Sequence, residues 1–125
     1  MSKDPGTGSR IAVLVVDDEF LVRMHTAEIL REAGFDVEEA SNSDEALRKL
    51  NGGGHRLDAL VTDVQMPGAM NGYGLAKRVH DLFPEAAIVV ISGVVGPSPG
   101  EMPPNATFLA KPVIPEHLMR AIRPV

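Results

Sequence analysis

The stretch that decides the fold is IAVLVVDDEF, Ile11 to Phe20. Ile11 to Val16 is apolar and rich in β-branched residues, with no alternation. That is the pattern of a strand covered on both faces. Two acids, Asp17 and Asp18, follow at once. The same arrangement recurs along the chain. Asp63 closes LDALVTD (57–63), Ser92 closes AAIVVIS (86–92) and Lys111 closes FLAK (108–111). In an open parallel α/β sheet, the carboxyl ends of the strands line one crevice, and that crevice holds the ligand site. The pattern therefore predicts that three carboxylates, one hydroxyl and one ammonium converge. Such a set suits a hard divalent cation and a phosphoryl group.

The segments between these runs read as helices and one further strand. A helix is expected from Glu19 to Ala33, with Val22, Thr26, Ile29, Leu30 and Ala33 as its inward stripe and Gly34 as its C-terminal cap. Phe35 to Ala40 reads as a strand. Ser43 is expected to cap a helix running to Leu50, with Asp44 and Glu45 in its first turn. MPGAMNG (66–72) is a turn-rich loop before a helix over 73–82, which stops ahead of Pro84. A short strand over 107–110 and a helix beginning at Pro115 complete the chain. Strands alternating with helices imply a parallel sheet of right-handed βαβ units. One slot breaks the alternation. The fifteen residues from Gly93 to Thr107 hold four Pro and three Gly. Each interior Pro costs a helix about 3 kcal/mol and each Gly about 1 kcal/mol, so a loop is expected there.

At 125 residues the chain is one domain, with Met1 to Arg10 as a flexible polar leader and 11–125 as the folded unit. A net charge of −5 without a basic stripe argues against a direct nucleic-acid partner. The absence of Cys removes disulfides and thiol catalysis. No apolar run approaches the length that spans a bilayer, and the polar start is no signal peptide, so a cytoplasmic protein is the expectation. The four His have no metal-ligand spacing and read as solvated surface residues, and Gly52 to Gly54 reads as a helix stop.

The acid pair in VVDDEF, the acid in VTDVQMPGAMNG, the hydroxyl in VVISG and the Lys-Pro in FLAKPV together resemble the receiver domain of two-component response regulators. Singly, each element has a plainer reading: a helix cap, a turn residue, a solvated lysine. Jointly, and in this order, they form a specific signature covering Ile11 to Ile122. The resemblance implies a doubly wound sheet of five parallel strands in the order 2-1-3-4-5, with its fourth helix replaced largely by the Pro/Gly-rich loop. It implies Asp63 as phosphoacceptor, with Lys111 and Ser92 engaging the phosphoryl group. Asp17, Asp18, Asp63 and the Gln65 backbone carbonyl would bind Mg²⁺ or Mn²⁺. Ser92 and Phe108 would form a switch pair, and Lys111–Pro112 is a candidate cis peptide. Phe108 lacks the phenol of many relatives, and fixed core packing is its plainer role. Gln65 and Val94 would flank the leaving phosphoryl.

The implied partners are a histidine kinase or histidine phosphotransfer protein and an unknown downstream protein, with dimerisation open. The implied activity is not that of a conventional enzyme: the domain would catalyse its own phosphorylation and dephosphorylation. A stand-alone module signalling through protein contacts or phosphorelay is the favoured reading. Its alternatives are a phosphate-independent interaction module and the receiver part of a hybrid kinase. A small-molecule phosphohydrolase would want a second Asp where Gln65 stands.

Overall fold

The computed structural model describes residues 10–52, 56–94 and 96–123. The expected leader therefore lies outside the described residues apart from Arg10. Five strands, β1 (Ala12–Val16), β2 (Asp36–Ala40), β3 (Ala59–Asp63), β4 (Ala87–Ser92) and β5 (Ala106–Ala110), form one sheet. Their order is β2-β1-β3-β4-β5, and every neighbouring pair is parallel. Among the described residues four helices accompany them: α1 (Phe20–Glu32), α2 (Ser43–Leu50), α3 (Gly72–Leu82) and α4 (Pro115–Ile122).

The unbroken apolar runs are explained by two cores, one on each side of the sheet. Leu14, Val16, Leu60, Ile88 and Val90 face α2 and α3, where Ala46, Leu50, Leu75 and Val79 meet them. Val13, Val15, Ala59, Val61, Val89 and Ile91 face the opposite way, toward Ala27 and Leu30 of α1 and Leu118 and Ile122 of α4. Successive side chains of a strand point to opposite faces, so two-sided cover requires apolar residues at every position.

Local chemistry sets the helix ends. Gly34 has φ +96°, Gly34 N–H donates to the Arg31 carbonyl at 2.9 Å, and Phe35 N–H donates to the Leu30 carbonyl at 3.1 Å. This is a Schellman closure, which needs a left-handed residue where glycine alone is unstrained. The cap of α2 is Asn42 rather than Ser43: its Oδ1 accepts the Glu45 N–H at 2.8 Å. Ser43 is instead the first helical residue, and its hydroxyl donates to the Met70 carbonyl at 3.1 Å, tying α2 to the loop before α3. The stripe of α1 also differs from expectation. Ala27 and Leu30 are buried, Thr26 and Ile29 are half-buried, and Val22 and Ala33 are exposed.

No helix forms over 93–105 among the described residues. Met102 and Phe108 pack against the α2/α3-side core in that slot, and Pro103 is buried. This leaves β5 half-covered along Ala106 to Leu109. None of the helices described is long and apolar enough to cross a membrane.

Candidate metal and phosphoryl site

The carboxyl ends of β1, β3, β4 and β5 bring the polar residues together as their register requires. Val16 stands beside Thr62, Asp63 beside Ile91, and Ser92 beside Ala110. Carboxylate oxygens of Asp17, Asp18 and Asp63 all lie within 4.8 Å of one another. Asp17 is 6% exposed and Asp63 7%, whereas Asp18 is exposed. Asp17 is held at three points. Its N–H donates to the Ala40 carbonyl at 3.1 Å, its Oδ1 accepts the Glu19 N–H at 2.9 Å, and its carbonyl accepts from Arg23 Nη1 at 3.0 Å. The acid thus turns the chain into α1 while a carboxylate oxygen stays within reach of Asp18 and Asp63.

Lys111 Nζ stands 3.2 Å from Asp63 Oδ1. This ammonium is the ion-pair partner of a buried oxygen that has no other donor beside it among the described residues. A carboxylate oxygen so placed has coordination capacity to spare. Burial raises the Asp17 pKa above its ordinary value; the Glu19 N–H opposes this, Asp63 and Asp18 reinforce it, and Lys111 opposes it. Burial also disfavours the Lys111 ammonium, but Asp63, Asp17 and Glu19 outweigh that, and its pKa lies above the ordinary lysine value. One ammonium facing three close carboxylates leaves negative charge uncompensated. The donors are all hard oxygens, so the set fits Mg²⁺ or Mn²⁺.

Ser92 is fully buried, its Oγ accepting the Val94 N–H at 3.2 Å. Its carbonyl accepts the Lys111 N–H at 2.9 Å, so the ends of β4 and β5 are joined through the backbone. The Lys111–Pro112 peptide is cis. The lysine stem passes Gly93, where a Cβ would sit 3.7 Å from Lys111 Cδ. Two clefts flank the cluster. Asp17, Asp63 and Lys111 open on one of about 580 Å³, walled by Val15, Ile91 and Leu118 and bordered by His25. Asp18 and Gln65 line the other, of about 520 Å³. Gln65 and Val94 are exposed. Phe108 packs against the α2/α3-side core, its ring 3.4 Å from where a Cβ on Gly96 would lie.

His25 and His117 are exposed, as expected, and His25 also borders the larger cleft; His80 is half-buried, its Nδ1 without a hydrogen-bond partner among the described residues, and His55 lies outside them. Two residues with no chemical motif also shape the site. Arg23 holds the Asp17 carbonyl. At Gly72, a Cβ would collide with the Asp63 carbonyl oxygen and lie 2.8 Å from Val64 Cα. The glycine in MPGAMNG reads as a turn signal, and only the tertiary approach of α3 to β3 gives it this role.

Residues 13–123 match the family described as response regulator receiver domain. The crystal structure of a response regulator receiver protein from Sinorhizobium medicae WSM419 superposes with a TM-score of 0.85, at 27% identity, over 91% of this chain and 92% of that one. The receiver domain of the hybrid histidine kinase CckA superposes with a TM-score of 0.76 at 32% identity, over 90% and 95%. A protein-glutamate methylesterase/protein-glutamine glutaminase of Anaeromyxobacter dehalogenans (strain 2CP-C) is 41% identical over 85 residues, 68% of this chain and 23% of that protein. The sensor kinase CckA of Brucella abortus (strain 2308) is 36% identical over 81 residues, 65% and 8%. The chain thus spans less than a quarter of these curated relatives. With this fold and this match over nearly all of the described residues, the chain belongs to the response regulator receiver domains, the phosphoacceptor signalling modules of two-component systems.

Proposed function

We propose that Asp63 is the phosphoacceptor of this chain, fed by a histidine kinase or a histidine phosphotransfer protein. The observation that carries the reading is the buried Asp63 carboxylate inside the acid cluster, its Oδ1 3.2 Å from Lys111 Nζ. A carboxylate oxygen of Asp63 attacks phosphorus. A P–O bond forms, the P–N bond to the donor histidine breaks, and the imidazole nitrogen keeps that electron pair. Water later attacks phosphorus, releasing inorganic phosphate and restoring the carboxylate.

Asp17, Asp18, Asp63 and the Gln65 carbonyl would hold Mg²⁺ or Mn²⁺. When bound, such a cation neutralises the carboxylate cluster and the charge that develops on the transferring group. Lys111 pairs with a phosphoryl oxygen, a task suited to a compact ammonium. The Ser92 hydroxyl, whose Oγ accepts the Val94 N–H, would donate its own proton to a phosphoryl oxygen. Phe108 is the second half of the switch: its movement would disturb the segment at Gly96, which borders its ring. The output is a contact with a downstream protein or onward relay. A phosphate-independent module is disfavoured, because all five of Asp17, Asp18, Asp63, Ser92 and Lys111 are present.

The test is intact mass after incubation with Mg²⁺ and acetyl phosphate. A gain of one phosphoryl group, blocked by a chelator and absent in a folded Asp63→Asn variant, supports the proposal. Stoichiometric phosphorylation of Asp63→Asn contradicts it.

A further inference from the structure

Side chains on an α-helix lean toward its N-terminus, so a residue one turn in overhangs the segment that leads into the helix. In α1 that residue is Arg23, whose own N–H donates to the Glu19 carbonyl at 2.9 Å. Its guanidinium makes three distinct contacts. Nη1 donates to the Asp17 carbonyl at 3.0 Å, Nε donates to Glu39 Oε1 at 3.0 Å, and Cζ lies 5.4 Å from the Phe20 ring centroid. The side chain is only 14% exposed. A solvated surface arginine would have none of these constraints.

Glu39 is itself fixed. It lies on β2 beside Val15 of β1, and its other oxygen accepts from Arg31 Nη1 at 3.2 Å. Arg31 in turn donates from Nη2 to the Val37 carbonyl at 3.0 Å. Arg23 therefore links a rigid point on β2 to the main chain of Asp17. That main chain is where the β1 register ends, at Val16, and where the chain turns to present Asp17 and Asp18.

We propose that Arg23 is a positioning residue of the cation site, tethering the Asp17 carbonyl to Glu39 so that the two adjacent carboxylates keep their spacing. The proposal rests on the reading that this cluster binds Mg²⁺. It makes a prediction opposite in sign to that of simple electrostatics. As a charge alone, a guanidinium near three carboxylates weakens cation binding, and removing it should tighten Mg²⁺. As a tether, it preorganises the ligands, and removing it should loosen Mg²⁺. Lysine keeps the charge but not the planar fork that serves two acceptors at once.

The experiment is calorimetric titration of the full chain with MgCl₂ at fixed pH and ionic strength. The set is wild type, Arg23→Met, Arg23→Lys and Arg31→Met, with folding checked by far-UV circular dichroism. Arg31→Met removes one of the two guanidinium contacts to Glu39 and leaves Arg23 on both Glu39 and the Asp17 carbonyl, so it reports what loosening the anchor alone costs. The expected result is roughly tenfold weaker Mg²⁺ binding in Arg23→Met, with smaller losses in Arg23→Lys and Arg31→Met. Should Arg23→Met fail to fold, Arg23→Lys must still bind Mg²⁺ more weakly than wild type. Equal or tighter binding in the Arg23 variants, or an equal loss in Arg31→Met, overturns the tether. A wild type that takes up no Mg²⁺ overturns the cation reading itself, which is a different result.

Discussion

Replacing Gly72 with alanine should destabilise the domain, although helix propensity alone argues the reverse. Gly72 opens α3, where Gly→Ala ordinarily gains up to about 1 kcal/mol. Here the new Cβ would collide with the Asp63 carbonyl oxygen and stand 2.8 Å from Val64 Cα and 2.9 Å from the Asp63 carbonyl carbon. All three are backbone atoms at the buried end of β3, so no side chain can rotate away. Gly72 N–H also donates to the Val64 carbonyl at 2.8 Å, so moving α3 outward strains that bond. Overpacking costs about 1–3 kcal/mol and a weakened buried hydrogen bond about 1 kcal/mol. Set against the propensity gain, the net is about 2 kcal/mol of destabilisation, or a fall in Tm of about 6–10 °C for a domain of this size. Thermal unfolding followed by circular dichroism measures it, with Gly74→Ala as the control. A Cβ on Gly74 would meet Met70 Cγ at 2.7 Å, and that flexible side chain can yield. A Tm for Gly72→Ala at or above wild type would refute the reasoning, as would an equal fall in both variants.

Three further outcomes are expected. The Asp17 pKa is raised in the folded, metal-free state. The stability it contributes is therefore fully present below its unfolded value near 3.8 and is lost as pH rises through the raised value. The stability of Asp17→Asn relative to wild type should rise with pH across that window; a difference independent of pH would count against the shift. Lys111→Met should slow phosphorylation by acetyl phosphate by about 10²-fold while Mg²⁺ binding is retained or tightened, since the ammonium serves the phosphoryl group rather than the cation; parallel loss of Mg²⁺ binding would contradict that division. Asn42→Ala should lower stability by about 1 kcal/mol in urea unfolding as the α2 cap is lost, and an unchanged midpoint would remove Asn42 from that role.

The parts of the molecule legible in the sequence are those written in local pattern. The runs ending at Val16, Asp63 and Ser92 cannot be amphipathic, so they read as central strands, and their terminal polar residues read as a site. Gly34 and the Pro-rich 93–107 segment act through backbone chemistry that no tertiary contact reverses. The remainder depends on packing. Phe20, Leu21, Val22 and Met24 are all apolar and all exposed, so hydrophobic periodicity places the buried face of α1 one position away from Ala27. Asn42 and Ser43 are both good caps, and only the extended backbone of Asn42, φ −162° and ψ 174°, decides between them. Arg23 reads as a solvated charge until the fold sets β2 beside it, and Gly72 reads as a turn residue until α3 is seated on β3.

The central claim is that Asp63, and neither neighbouring acid, carries the phosphoryl group. Its most direct test is borohydride reduction of the phosphorylated protein, which converts an acyl phosphate to an alcohol, followed by peptide mass mapping. The account predicts homoserine at position 63 in the Mg²⁺-treated sample and unmodified Asp17 and Asp18. Homoserine at position 17 or 18, or none at position 63 in a protein that has gained a phosphoryl group, would contradict it.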